Sequence, residues 1–251
     1  MNLISLRHIA AKSLTLIALS FAFVGSHPAM AGDDHDRGPV FRHGNRHFHI
    51  LPPRPHAFRN IYSEYQARWW QWASSLPADH NPLFDTADGS AGQAGPVWYL
   101  GGVFGTGPAD RTLTVPFGKA IFFPVINLAY FLTDPTDTEQ GSRDLINTIM
   151  DHIVSSFVEI DGRPVQHLER YRTESRLFDI GPLPANNILG VAAGSVIPTV
   201  DDGIYLLLLP LSPGEHTIHF GGHVLVPADV PGVGGYEFSQ DATYHITVAR
   251  R

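Results

Sequence analysis

The sequence predicts a mainly β protein, an antiparallel β-sandwich of the jelly-roll or immunoglobulin-like kind with two packed α-helices. Three observations carry that prediction. Short runs rich in β-branched and aromatic residues are broken repeatedly by glycine and proline, of which the 251-residue chain has 24 and 20. Charged residues make up only 16% of the chain, too few for a solvent-laced helix bundle. Only two stretches show helical periodicity.

The first 31 residues read as a secretory signal: Arg7 and Lys12 precede the apolar run LTLIALSFAFV, and Ala29-Met30-Ala31 supplies a small-residue cleavage site. The run is short for a bilayer span, and no later segment reaches about 18 uninterrupted apolar residues. The expectation is an exported protein, periplasmic or secreted, with no membrane span once the signal is removed. Removal takes away two basic residues and leaves 15 basic against 24 acidic, a formal charge of −9. Such a balance, with no long basic run, argues against nucleic acid as a partner. Cysteine is absent, which excludes disulfides, thiolate metal sites and a cysteine nucleophile.

Residues 32–60 are polar and contain His35, His43, His47, His49 and His56 without periodicity, and are read as a disordered, His-rich arm able to scavenge a transition metal loosely. Residues 61–251 are expected to form a single β-sandwich domain. It opens with a helix from Tyr62 to Leu76, stopped by Pro77, in which Tyr62, Tyr65, Trp69, Trp72 and Leu76 share one stripe at about 100° per residue. Trp70 falls off that stripe.

A turn-rich loop follows, then strands near 97–104, 111–115 and 120–126. The segment LTDPTDTEQGS leads into a second helix near 143–153, with Ser142 as its N-cap and Leu145, Ile146, Ile149 and Ile153 as its apolar face. SSFVEIDGRPV reads as a hairpin around Asp161-Gly162. Another strand is expected near 175–180. The apolar run IYLLLLPL then reads as a central strand covered on both faces, and EHTIHFGGH and 242–249 close the sandwich.

Candidate site residues come from three places. An off-stripe tryptophan either packs within the fold or is offered to a partner or a sugar ring, so Trp70 is a candidate ligand contact. In QAGPVWYLGG, Gln93 and Trp98, with Arg111, could line a pocket at the strand ends, or all three could be structural. His219, His223 and His245 form the third group. Alternation sends His216 to the face of Ile218 and Phe220 and His219 to the other. If the last two strands pair, His219 and His245 become cross-strand neighbours with His223 near the turn, a set that could bind Zn or Cu; solvent-facing histidines are the other reading. Asp134, Asp137, Glu139 and Asp144 crowd one loop and helix start, which invites Ca²⁺ but lacks the EF-hand register. There is no G-x-S-x-G elbow, and AAGSVIP matches only in its Gly-Ser pair.

Taken in order, YSEYQARWWQW, QAGPVWYLGG, VPFGKAIFFPVIN, the IDG hairpin and LLPLSPGEHTIHF resemble an uncharacterised family of exported bacterial proteins. Its marks are a Trp-rich N-terminal helix followed by Q-x-G-P-V-W-[FY]-L and P-x-G-K-A-[IL]-F-F-P strands. The resemblance covers roughly Tyr62 to Val248 and implies one domain of a shared type without naming a substrate. Many relatives carry a cysteine before the position of Gln93 and another in an R-T-C-T-V-P strand; here the second position is Leu113 and the loop has none.

Two functions are compatible with these residues. The first is an exported, non-catalytic protein binding a carbohydrate, an envelope component or a protein, with Trp70 and Trp98 supplying aromatic contact. The alternative is a secreted hydrolase or metal-dependent enzyme that uses the C-terminal histidines with acids such as Asp202 or Asp241.

Overall fold

The computed structural model describes residues 48–53, 56–84, 89–104 and 108–250. The segment read as a secretory signal and the greater part of the His-rich arm lie outside them. The end of the arm is ordered: Ile50–Leu51 forms β1, and the first helix, α1, begins at His56 and runs to Ser75. β1 is held because it pairs antiparallel with the far end of a central strand, Ile50 opposite Leu208.

Among the described residues eleven strands make two sheets. After α1 come β2 (Val97–Tyr99), β3 (Ala109–Val115) and β4 (Ala120–Phe131), then the second helix α2 (Glu139–Met150). There follow β5 (Ile153–Ile160), β6 (Arg163–Pro164), β7 (Arg172–Glu174), β8 (Phe178–Ile180), β9 (Ile197–Leu208), β10 (Gly214–Leu225) and β11 (Glu237–Val248).

In the first sheet β9 is central. One of its edges pairs along β4, which is followed by β2; its other edge is shared in succession by β1, β7 and β8. The second sheet runs β3-β11-β10-β5-β6. Most pairs are antiparallel, but β2 lies parallel to β4 and β3 parallel to β11. The strictly antiparallel sandwich expected from the sequence is therefore a sandwich of two mixed sheets.

The side-chain period of two divides the core cleanly. From β9, Val200, Ile204, Leu206 and Leu208 enter the space between the sheets, where they join Phe123, Ile218, Phe220, Tyr244 and Ile246. Tyr205 and Leu207 point the other way and pack with Phe122 under α1. IYLLLLPL is thus apolar throughout because it is covered on both faces. α2 closes one end of the intersheet core through Ile146, Ile149 and Met150.

α1 is seated by more than its aromatic stripe. Tyr62, Gln66, Trp69 and Ala73, at spacings of four, three and four, are all fully buried or nearly so, and Trp70 lies beside them at 3% exposure. Each of the three adjacent indoles donates its N–H to a different part of the fold: Trp69 to the Leu100 carbonyl (2.8 Å), Trp72 to the Ala91 carbonyl (2.9 Å) and Trp70 to the Asp201 carboxylate (2.8 Å). At the other terminus Asn81 donates to the Ala73 and Leu76 carbonyls, satisfying acceptors that the end of a helix leaves open.

α2 begins four residues earlier than its capping serine suggested. Thr138 is the N-cap, accepting from the Gly141 amide at 3.2 Å, and Ser142 sits one turn inside, its hydroxyl donating to the Thr138 carbonyl. Thr138 is preferred because Glu139, Gln140 and Gly141 can all continue the helix behind it.

Candidate functional site

None of the first three candidate groups forms an open site. Trp70 is enclosed, edge-on to Phe131 at 5.4 Å and to Trp69 at 5.0 Å, so it cannot serve as an exposed platform. Its acceptor, Asp201, is wholly buried. The Asp201 carboxylate also accepts from Asn127 Nδ2 (3.1 Å) and Gln66 Nε2 (3.1 Å), and no cation touches it. Burial pushes its pKa up to about 7, against the downward pull of the Trp70, Asn127 and Tyr205 hydrogen bonds. This polar knot joins α1 to β4 and β9, and α1 closes it off from solvent.

Gln93 pairs both ways with the backbone of Tyr99: Nε2 donates to its carbonyl at 2.8 Å, and Oε1 accepts from its amide at 2.9 Å. The side chain stands in for a neighbouring strand beside β2. Trp98 points into the intersheet core instead, and its indole N–H finds no protein acceptor there. Arg111 donates to the Gly101 and Gly102 carbonyls and lies over the Tyr244 ring, 5.4 Å from its centroid. The three side chains do not line a common pocket, since each holds a different stretch of the fold.

The histidines share a face but not a centre. β10 and β11 pair with His219 opposite Thr243 and His245 opposite Thr217, so the two imidazoles are diagonal rather than directly opposed. Each histidine has its own carboxylate: His219 has Asp241 at 2.8 Å, His223 has Glu237 at 2.9 Å and His245 has Asp110 at 3.1 Å. Among the described residues no three histidine or carboxylate side chains converge as a metal site. β10 continues to Leu225, which puts His223 within the strand and not at a turn. The acidic loop is likewise engaged in protein contacts: Asp137 accepts from the Tyr130 hydroxyl and the Asp134 amide, Asp134 from Thr136, and Asp144 from Gln140.

The acids named for a hydrolase are also committed. Asp202, on the opposite side of β9 from Asp201, accepts a bidentate pair from Arg172 at 2.6 and 3.0 Å, and Arg172 also reaches Asp151. Burial pushes the Asp202 carboxyl up while the Arg172 guanidinium pulls it down. A nucleophile–base–acid order does occur at Ser212, His216 and Asp161. His216 Nδ1 stands 2.7 Å from Asp161, and Nε2 stands 3.4 Å from Ser212 Oγ. Nε2 is closer, at 2.9 Å, to the Ser212 carbonyl. With Nε2 set closer to the Ser212 carbonyl than to its hydroxyl, the geometry is not that of a serine held by its base. The group pins the β5–β6 turn, where Asp161 adopts φ 51°, against β10.

What remains open is the outer face of the second sheet. α1 covers the corresponding face of the first, whereas no described element packs over β3, β11, β10 and β5 from outside. Alternation presents Thr112 from β3, Ser239, Asp241, Thr243, His245 and Thr247 from β11, Glu215, Thr217 and His219 from β10, and Phe157 and Glu159 from β5. Phe157 is 37% exposed. Its ring meets His219 edge-on at 4.8 Å and lies across Gly221, where a Cβ would come within 2.8 Å of it. One side of the ring therefore covers a glycine and the other faces solvent.

At the β5–β6 end of this face a cleft of 640 Å³ opens between the hairpin and the sheet, with Thr112, Arg163, Glu215, Thr217, His245 and Thr247 in its walls. Thr217 is two residues from His219 on one strand face, about 7 Å along it, so the cleft and the ring pair are continuous. Reading the sequence for site residues misses Phe157. The signal was present: in SSFVEI, with Val158 and Ile160 turned to the core, the phenylalanine just before them must face out.

The sequence matches no family model and no curated protein. Among solved structures it is similar to a cysteine protease inhibitor from Entamoeba histolytica, 17% identical, over 55% of this chain and 86% of that one, with a TM-score of 0.20. A likeness at that score decides neither fold nor function.

Proposed function

We propose that this is an exported, non-catalytic binding protein that takes a glycan on the outer face of the five-stranded sheet. The observation that carries the proposal is the Phe157–His219 ring pair, set on an uncovered sheet face beside a polar cleft. A sugar ring needs an apolar, weakly negative surface for its C–H face and donors and acceptors around its edge. Phe157 offers the first. Thr217, Thr243, Asp241, Glu159 and His245 offer the second within the same face.

The charge on the face favours a neutral partner. Its three histidines are each set against a carboxylate, and Glu159 and Glu215 outweigh Arg163, so among the described residues the face is more acidic than basic and does not suit a polyanion. The 31-residue signal-like N-terminus and the resemblance to exported bacterial proteins support an envelope or extracellular setting.

Calorimetric titration of the full chain against soluble neutral glycans tests the reading. Phe157→Ala is expected to weaken binding tenfold or more with the circular dichroism spectrum unchanged, because the ring is partly exposed and touches Gly221 and the outward-facing His219 rather than the core. Unchanged affinity in that variant removes Phe157 from the site and the proposal with it.

A further inference from the structure

We infer that the ligand is an extended chain of sugars lying along β10 and β11 rather than a single residue held in one cleft. The inference rests on the proposed function and deepens it. A second cleft, of 660 Å³, opens at the opposite end of the same sheet, walled by Asp151, Val154, Leu225, Pro227, Ala228 and Glu237. Leu225 and Glu237 are outward positions on β10 and β11, directly paired across the strands. The two clefts therefore terminate one surface. From Glu215 in the first to Leu225 in the second is ten residues of a single strand, roughly 33 Å.

Gly221 and Gly222 occupy successive positions of β10 between the two clefts, and at Gly221, the outward one, the Phe157 ring and the Gln240 carbonyl oxygen take the space a Cβ would need. The path from Thr217 to His223 passes His219 and the Phe157 ring, which would be the stacking surface at its middle. The ends differ in chemistry: hydroxyls, His245, Glu215 and Arg163 at one, and the exposed side chains of Val154 and Leu225, 56% and 45% accessible, at the other. A monosaccharide could touch only one of these regions. A linear, neutral polysaccharide can meet the first cleft, the ring and the second cleft at once, and each added contact tightens binding without a second association cost.

The test is a length ladder. Oligomers of β-1,4-linked glucose and of β-1,4-linked N-acetylglucosamine, from dimer to octamer, are titrated into the full chain and into its Leu225→Asp and Phe157→Ala variants. Affinity for at least one series is expected to rise tenfold or more between dimer and hexamer. Leu225→Asp should lower the affinity of the long chains to near that of the short ones while leaving the dimer unaffected. Phe157→Ala should weaken both. Equal affinity for dimer and octamer, or a Leu225→Asp effect identical at every length, overturns the extended-chain inference and leaves the binding face intact. Failure of every oligomer in both series to bind overturns the inference together with the glycan reading beneath it.

Discussion

The indole N–H of Trp70 donates to Oδ1 of Asp201 across 2.8 Å, joining α1 to the middle of β9 in a region closed to solvent. These residues are 131 positions apart. Their contact explains why the one tryptophan off the aromatic stripe is nevertheless buried: the polar end of its ring is required beneath the helix. Trp70→Phe keeps the edge-on contact with Phe131 but removes a donor from a buried carboxylate. The expected loss is about 1–3 kcal/mol of stability, measured by urea unfolding followed by circular dichroism. Glycan affinity should not change, because the sheet pair stands between this contact and the proposed binding face.

Asp201 makes stability depend on pH in a direction opposite to that of a salt-bridged carboxylate. Its pKa is about 7 in the folded protein against 3.8 for the free side chain. Between those values the folded state holds a proton that the unfolded state has released, so the contribution is fully present below about pH 4 and falls as pH rises towards 7. At 1.36 kcal/mol per pH unit, the effect is on the order of 4 kcal/mol. Asp201→Asn should abolish it, with Gln66 Oε1, a buried acceptor lacking a protein donor, available to the new amide. Urea unfolding of the two proteins at pH 5 and pH 8 checks this: the variant should be the more stable at pH 8, and profiles that run parallel would count against a protonated Asp201.

On the other side of β9, Arg172→Met strands the buried Asp202 carboxylate without its bidentate partner. The expected cost is about 3–5 kcal/mol. Adding Asp202→Leu should recover much of that loss, since the charge requiring compensation is gone. Thermal unfolding of the single and double variants measures the coupling.

Local patterns in the sequence carried much of the architecture. β9 was recognisable from its unbroken apolar run, β10 from its alternation and α1 from a stripe at helical spacing, because each pattern reports burial by immediate neighbours. The parallel pairing of β3 with β11 was not recognisable, since nothing in ADRTLTV encodes the direction of a partner some 130 residues away. The start of α2 was placed at Ser142 and lies at Thr138, a residue that satisfies the same local capping rule. The histidines drew attention as a set, yet the register at Thr243 and Thr217 and three separate carboxylates distribute them singly. Phe157 drew none, although the period of two already turned it outward. Its importance depends on Gly221 across the strand and on no described helix packing over that face, and both are properties of the assembled sheet.

The most direct test of the glycan-binding face is a two-dimensional ¹H–¹⁵N spectrum of the full, isotopically labelled chain during titration with the β-1,4-linked oligomers. Shift changes are predicted to gather on Phe157, Thr217, His219, Gly221, Asp241 and Thr243, with the indole signals of Trp69, Trp70 and Trp72 unmoved. Changes centred on α1 and the knot around Asp201, or no change with any oligomer, would contradict it.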